Sequence, residues 1–213
     1  IGYDVDMARE MAKQMGVKLT LVPTAWDGII AGLITDKYDI IMSGMTITQQ
    51  RNLEVNFSDP YIVVGQTVLL RNSLASTIKS AKDLDKPEYT IVTKLGVTGE
   101  IATRKFFKKA KIVTFETESD ATSEVLNGKA DAMVYDQPYN VVFMSDKGKD
   151  KLVHLDTSLT YEPLGFAIRK GDPDFLNWLN NFIRQSKEDK VVGFSDELYN
   201  KWLVDTSWLQ RVQ

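Results

Sequence analysis

The sequence predicts an α/β protein, on three observations. Short apolar runs alternate with segments whose apolar residues recur at helical spacing, the pattern of strands covered by helices. Two of the runs, residues 39–42 and 130–135, lack the polar alternation of a half-exposed strand, so they read as strands buried on both faces. The third observation is an internal echo. Ile34-Thr35-Asp36-Lys37-Tyr38-Asp39-Ile40-Ile41-Met42-Ser43 parallels Leu126-Asn127-Gly128-Lys129-Ala130-Asp131-Ala132-Met133-Val134-Tyr135. Each has a helix end, a lysine-containing turn, an aspartate and a buried strand that ends in polar residues. Chance could give such an echo between two α/β units, and the alternation predicts parallel pairing.

The elements follow in order. Val5, Ala8, Met11, Ala12 and Met15 lie on one helix face, and Gly16 stops the helix. Residues 17–22 read as a strand. Residues 27–35 form a short helix with Ile29, Ile30, Leu33 and Ile34 inward, and 39–42 the buried strand. Residues 61–70 are an extended, β-rich run. The scheme then repeats with strand 89–93, helix 99–108, strand 112–115, helix 119–126 and strand 130–135. Residues 159–168 run back extended around Pro163 and Gly165. Asp172 caps a helix that Pro173 opens, with Phe175, Leu176, Leu179, Phe182 and Ile183 on one face. Residues 193–203 form a final helix, in which Phe194, Leu198 and Trp202 lie four apart.

Composition excludes several functions. At 213 residues the chain makes one large domain or two small ones. A net charge of −3 gives no electrostatic footprint for nucleic acid or an anionic membrane. No apolar run is long enough to span a bilayer, and no signal-peptide pattern is present. With no cysteine there is no disulfide, no thiolate nucleophile and no cysteine-bound zinc. No metal-ligand spacing and no nucleophile–base constellation appears, so neither cofactor nor catalytic residue is expected. The single histidine, His154, lies in the strand-like Leu152-Val153-His154-Leu155 and reads as structural.

The chemistry concentrates after strand 39–42. Ser43-Gly44-Met45-Thr46-Ile47-Thr48-Gln49-Gln50-Arg51 places small and hydroxylated residues at a strand's carboxyl end, where open α/β sheets bind ligands. Gly44 lets a ligand approach the backbone, Thr46 offers a hydroxyl and an N–H, and Arg51 can grip a carboxylate with two parallel hydrogen bonds. In the second half, Gly96-Val97-Thr98-Gly99 opens a helix, an ordinary capped turn that is also an anion site. It lacks the Gly-Lys-Ser/Thr of a phosphate loop, so nucleotide is not expected. Asp136 stands between a buried strand and Pro138. It can cap a helix, bind a cation, or both. Trp26 beside Asp27-Gly28 reads, taken alone, as core. So do Trp178, Trp202 and Trp208, while Tyr135 and Tyr139 are core or pocket wall.

The segment from Ser43 to Arg51, followed by Phe57-Ser58-Asp59-Pro60-Tyr61, resembles the signature of the periplasmic solute-binding proteins for polar amino acids that feed ABC importers. The resemblance runs from Gly2-Tyr3-Asp4-Val5-Asp6 to the region of Tyr199, Lys201 and Trp202. It implies a periplasmic binding protein-like type II fold: two α/β lobes, 1–61 plus 165–213 and 62–164, joined by two hinge strands and closing on a ligand in the cleft. It implies that Ser43, Gly44, Thr46 and Arg51 hold the α-carboxylate of one L-α-amino acid. Thr98 and Gly99 touch that carboxylate from the second lobe, Asp136 takes the ammonium and Trp26 walls the pocket. It further implies a strand and loop ahead of Ile1 carrying part of the pocket.

The partners so implied are an amino acid and an ABC transporter permease, for a monomer with no intrinsic membrane segment. The location is periplasmic or extracellular, lipid-anchored in a single-membrane bacterium. Two alternatives share the scaffold. One is a cyclohexadienyl (prephenate or arogenate) dehydratase, for which Glu162 is the nearest carboxyl to act as general acid. The other is the ligand-sensing domain of a receptor.

Overall fold

A computed structural model describes residues 1–189, 191 and 193–211; Lys190, Val192, Val212 and Gln213, all within the predicted first lobe, lie outside it. The chain divides into two compact units. One comprises Ile1–Val63 with Pro163–Gln213, the other Val64–Glu162. No helix among the described residues is long and apolar enough to cross a membrane.

In the first unit, α1 (Tyr3–Met15) ends on Gly16 in the left-handed conformation and buries Ala8, Met11 and Ala12 as the spacing predicts, but its buried face also takes Tyr3 and Met7, while Val5 is half-buried and Met15 exposed. A 3-10 turn (Trp26–Gly28) leads into α2 (Ile29–Ile34), then β1 (Ile40–Ile41), α3 (Gln49–Asn52), β2 (Asn56–Phe57) and β3 (Ile62–Val64). Ile29, Leu33, Ile41, Met45, Val55 and Ala167 form one core cluster in it.

The second unit is a five-stranded sheet of β4 (Gln66–Arg71), β5 (Thr90–Lys94), β6 (Lys111–Phe115), β7 (Ala132–Asp136) and β8 (Leu152–Leu155), in the order β6-β5-β7-β4-β8. Helices α4 (Thr98–Phe106), α5 (Glu118–Leu126) and α6 (Gln137–Ser145) join these strands. Alternate residues feed two cores. Val68, Leu70, Ile91, Ala132 and Val134 pack with Phe107 on one face, while Leu69, Val92 and Met133 pack with Ala121 and Val125 on the other. The chain returns to the first unit through β9 (Glu162–Leu164) and β10 (Ala167–Ile168). It closes with α7 (Pro173–Glu188) and α8 (Ser195–Tyr199). Asp172 caps α7, accepting from the Phe175 N–H at 2.9 Å.

Three expectations are corrected. Parallel pairing holds for β5 with β6 and β7, but β4 runs antiparallel to both β7 and β8. In the first unit β10 inserts antiparallel between β1 and β2, because it enters from the return segment and not from a crossover helix. Residues 17–22 form no strand. A strand exists only by pairing, and a groove lined by Leu21, Val22, Ile40 and Met42 lies along this segment. The helix expected at 193–203 breaks into α8 and a π-helical turn, Asn200–Val204. Within that turn Lys201 Nζ and Trp202 Nε1 both donate to Asp6 Oδ2, at 2.7 and 2.9 Å.

Candidate functional site

In the first unit the site grows from the end of β1. Gly44 has φ +60°, the left-handed region, and a Cβ there would meet nothing within 4 Å. The glycine therefore answers to backbone conformation and not to crowding. Its N–H donates to Asp4 Oδ2 at 2.8 Å, so this amide is held by a carboxylate of the protein itself. Desolvation raises the Asp4 pKa, opposed by hydrogen bonds from the Tyr61 hydroxyl and from Gly44. Tyr61, closing the signature, stacks between Tyr3 and Phe166 at 5.9 and 4.4 Å. Burial first, then the Asp4 charge, lifts its own pKa well up. Asp4 and Tyr61 thus brace the turn at Gly44, a role that residue types alone do not signal.

Thr46 is buried and bridges to Leu164. On either side Ile47 N–H donates to the Pro163 carbonyl at 2.8 Å, and Gly165 N–H to that of Met45 at 3.0 Å. Thr48 caps α3 by accepting from the Arg51 N–H at 3.1 Å, which fixes the base of the Arg51 side chain. Arg51 Nη1 then donates to the Thr46 carbonyl at 2.7 Å. Its guanidinium carbon lies 5.4 Å from the Trp26 ring centroid, within cation–π range. Trp26, Thr46 and Arg51 are therefore one cluster. Ser43 is exposed and lines the groove beside Val22 and Met42.

In the second unit Asp136 ends β7 and occupies the N-cap position of α6, yet its side chain makes no capping bond. It accepts instead from Gln66 Nε2 at 2.5 Å. Thr98 opens α4, after Gly96 at φ +74° whose N–H donates to Glu100 Oε2 at 2.8 Å. Gly99 is buried, and a Cβ on it would lie 2.7 Å from Gln66 Oε1. Gln66 therefore touches both Gly99 and Asp136, two expected site residues. Its place inside the extended run 61–70 gives no local sign of this.

The remaining candidates are structural in their contacts. Tyr135 and Tyr139 meet edge to face at 5.1 Å, and Tyr139 also bonds to the Thr122 hydroxyl at 3.0 Å. Burial raises both phenols, Tyr139 to about 12 with Thr122 opposing. His154 Nε2 bonds to Thr67 Oγ1 at 2.8 Å inside the sheet. Trp178 stacks with Phe175 and Phe182 along α7. Glu162 is buried, with Oε2 unpartnered among the described residues. No trio of His, Cys, Asp or Glu among the described residues is placed to hold a metal.

Two α/β units, each carrying polar groups at strand ends and joined where the chain crosses twice, define the class of two-lobed solute receptors with the periplasmic binding protein-like type II fold. The chain belongs to the bacterial extracellular solute-binding proteins, family 3, whose model matches residues 1–205. A Wolinella succinogenes protein solved with lysine, described as a binding component of an ABC transporter, is 64% identical with a TM-score of 0.95. The match covers 99% of this chain and 89% of that one. The L-cystine-binding protein TcyJ of Escherichia coli is 28% identical over 94% of this chain and 73% of its own length. The cyclohexadienyl dehydratase of Pseudomonas aeruginosa is 34% identical, over 63% of this chain and 50% of the enzyme.

Proposed function

We propose that this chain is the extracytoplasmic receptor of an amino acid importer. It binds one L-α-amino acid, a cationic one such as lysine first among them, and passes it as a monomer to an ABC transporter permease. In a single-membrane bacterium a lipid anchor would keep it at the surface. The observation that carries this reading is the Trp26–Thr46–Arg51 cluster. One guanidinium nitrogen is tied to the Thr46 carbonyl and the plane rests near an indole, so its orientation is set before a carboxylate arrives. A donor arranged in advance loses less side-chain entropy on binding. Asp136, at a strand end and without a capping duty, supplies the opposite charge for the ammonium. Ligands lacking either α-group would leave a charge without its partner and bind far more weakly. The 64% identity to a protein solved with lysine supports the choice of side chain.

A thermal-shift screen across the twenty amino acids tests this. Lysine or another basic amino acid should raise the melting temperature, because a ligand that binds only the folded state stabilises it. No shift from any amino acid, confirmed by calorimetry, would defeat the reading.

A further inference from the structure

We propose that Gln66 is a positioning residue for the ammonium-binding carboxylate, holding Asp136 from the neighbouring strand. This rests on the assignment of Asp136 under the proposed function. The geometry begins with register. Gln66 and Asp136 are directly opposed in the antiparallel β4–β7 ladder, continuing the face on which Val68 meets Val134 and Leu70 meets Ala132. Directly opposed side chains on one face are near neighbours. The next position along a face otherwise filled by valine, leucine and alanine is thus a buried amide facing a carboxylate.

The amide is costly to keep there. Gln66 is 1% exposed, and Oε1 has no hydrogen-bond partner among the described residues. An unsatisfied buried polar atom is destabilising, and an apolar side chain would extend the core without that penalty. A glutamine with a purely architectural role would satisfy both ends of its amide. Only the end that meets Asp136 is satisfied, at 2.5 Å.

Nor can the amide turn over freely. The reverse orientation would set Oε1 against the carboxylate, acceptor facing acceptor, and forfeit the bond to Asp136. One orientation is therefore enforced, with the donor aimed at Asp136. By filling one acceptor site of the carboxylate, Gln66 fixes which sites remain for other donors. Asp136 stands at a helix N-cap and makes no capping bond.

The test uses the whole chain, lysine, and the α-hydroxy analogue of lysine, 6-amino-2-hydroxyhexanoic acid. Gln66→Met keeps the length and removes the amide. Affinity for lysine should fall about tenfold, the scale of one hydrogen bond to a charged group. Affinity for the hydroxy acid, which brings no α-ammonium, should change much less. In an Asp136→Asn background the further effect of Gln66→Met on lysine binding should nearly vanish. Equal losses for both ligands would mean that Gln66 only supports the fold, and no loss would mean that it does not act on Asp136. Either result overturns the proposal. If the methionine variant fails to fold, Gln66→Asn, one methylene too short to reach, provides the same contrast. A wild-type chain that binds neither ligand defeats the receptor reading itself, which is a separate outcome.

Discussion

Arg51 is fixed from three sides. Its main-chain N–H is held by Thr48, Nη1 by the Thr46 carbonyl, and its face by Trp26. Arg51→Ala should weaken amino acid binding by at least a hundredfold while the fold survives, because the side chain is only half-buried and outside the apolar core. Calorimetry on the folded variant checks this; unchanged affinity would remove Arg51 from the site. Arg51→Lys should rescue poorly, since an ammonium cannot both keep the Thr46 bond and present a planar pair of donors. Asp136→Asn distinguishes two roles at the other charge. As a cation partner, Asp136 should lose most affinity for the amino acid and little for the matching hydroxy acid. As a helix cap it would lose neither, since asparagine caps about as well as aspartate. The absent capping bond favours the first outcome.

At the scale of elements, the β4–β7–β8 ladder holds both the amide proposed to position Asp136 and a pH-sensitive histidine. Thr67 Oγ1, next to Gln66, shares a hydrogen bond with His154 Nε2 at 2.8 Å and accepts from Asn140 Nδ2 at 3.0 Å. Burial lowers the His154 pKa below its ordinary 6.5, with Asp156 partly opposing. A base whose pKa is depressed on folding stabilises the protein above its unfolded pKa and loses that contribution as pH falls through it. The melting temperature should therefore drop between pH 7.5 and 5.5, and His154→Gln should flatten that slope. An unaltered slope would place the titration elsewhere. The approach of α4 to the sheet makes a second prediction. Gly99→Ala adds a Cβ 2.7 Å from Gln66 Oε1. Overpacking costs roughly 1–3 kcal/mol, against a gain in helix propensity of about 1 kcal/mol. The stability change should thus be small and unfavourable, while lysine affinity falls because Gln66 must shift. A stable variant with full affinity would show that the contact relaxes without consequence.

For the whole molecule, recognition couples to stability. Each unit has its own apolar core. Lysine at a hundred times its dissociation constant should add about 2.7 kcal/mol, a rise of several degrees in the melting temperature for a chain of this length. A rise that does not grow with lysine concentration would argue against specific binding.

Much of this was legible in the residues. Period-3.6 spacing predicts α1 and α7 because one helix face must leave water, and Asp172-Pro173 marks a helix start by local chemistry alone. The apolar runs at 40–42 and 132–134 locate β1 and β7, and the signature through Arg51 points to the cluster that forms there. What resisted the sequence depends on partners distant in the chain. Residues 17–22 have strand composition but no ladder, and strand direction in the first unit depends on where β10 enters. Register decides the rest. Gln66 and Asp136 lie seventy residues apart, and nothing in either neighbourhood says that they are opposed. Asp4 likewise reaches Gly44, forty residues on, and Tyr61 beyond it. Local spacing encodes which face of an element is buried, because that is settled within a few residues. Which polar atom meets which is decided only when strands pair and helices dock, since a shift of one residue in register would turn Gln66 away from the carboxylate that it holds.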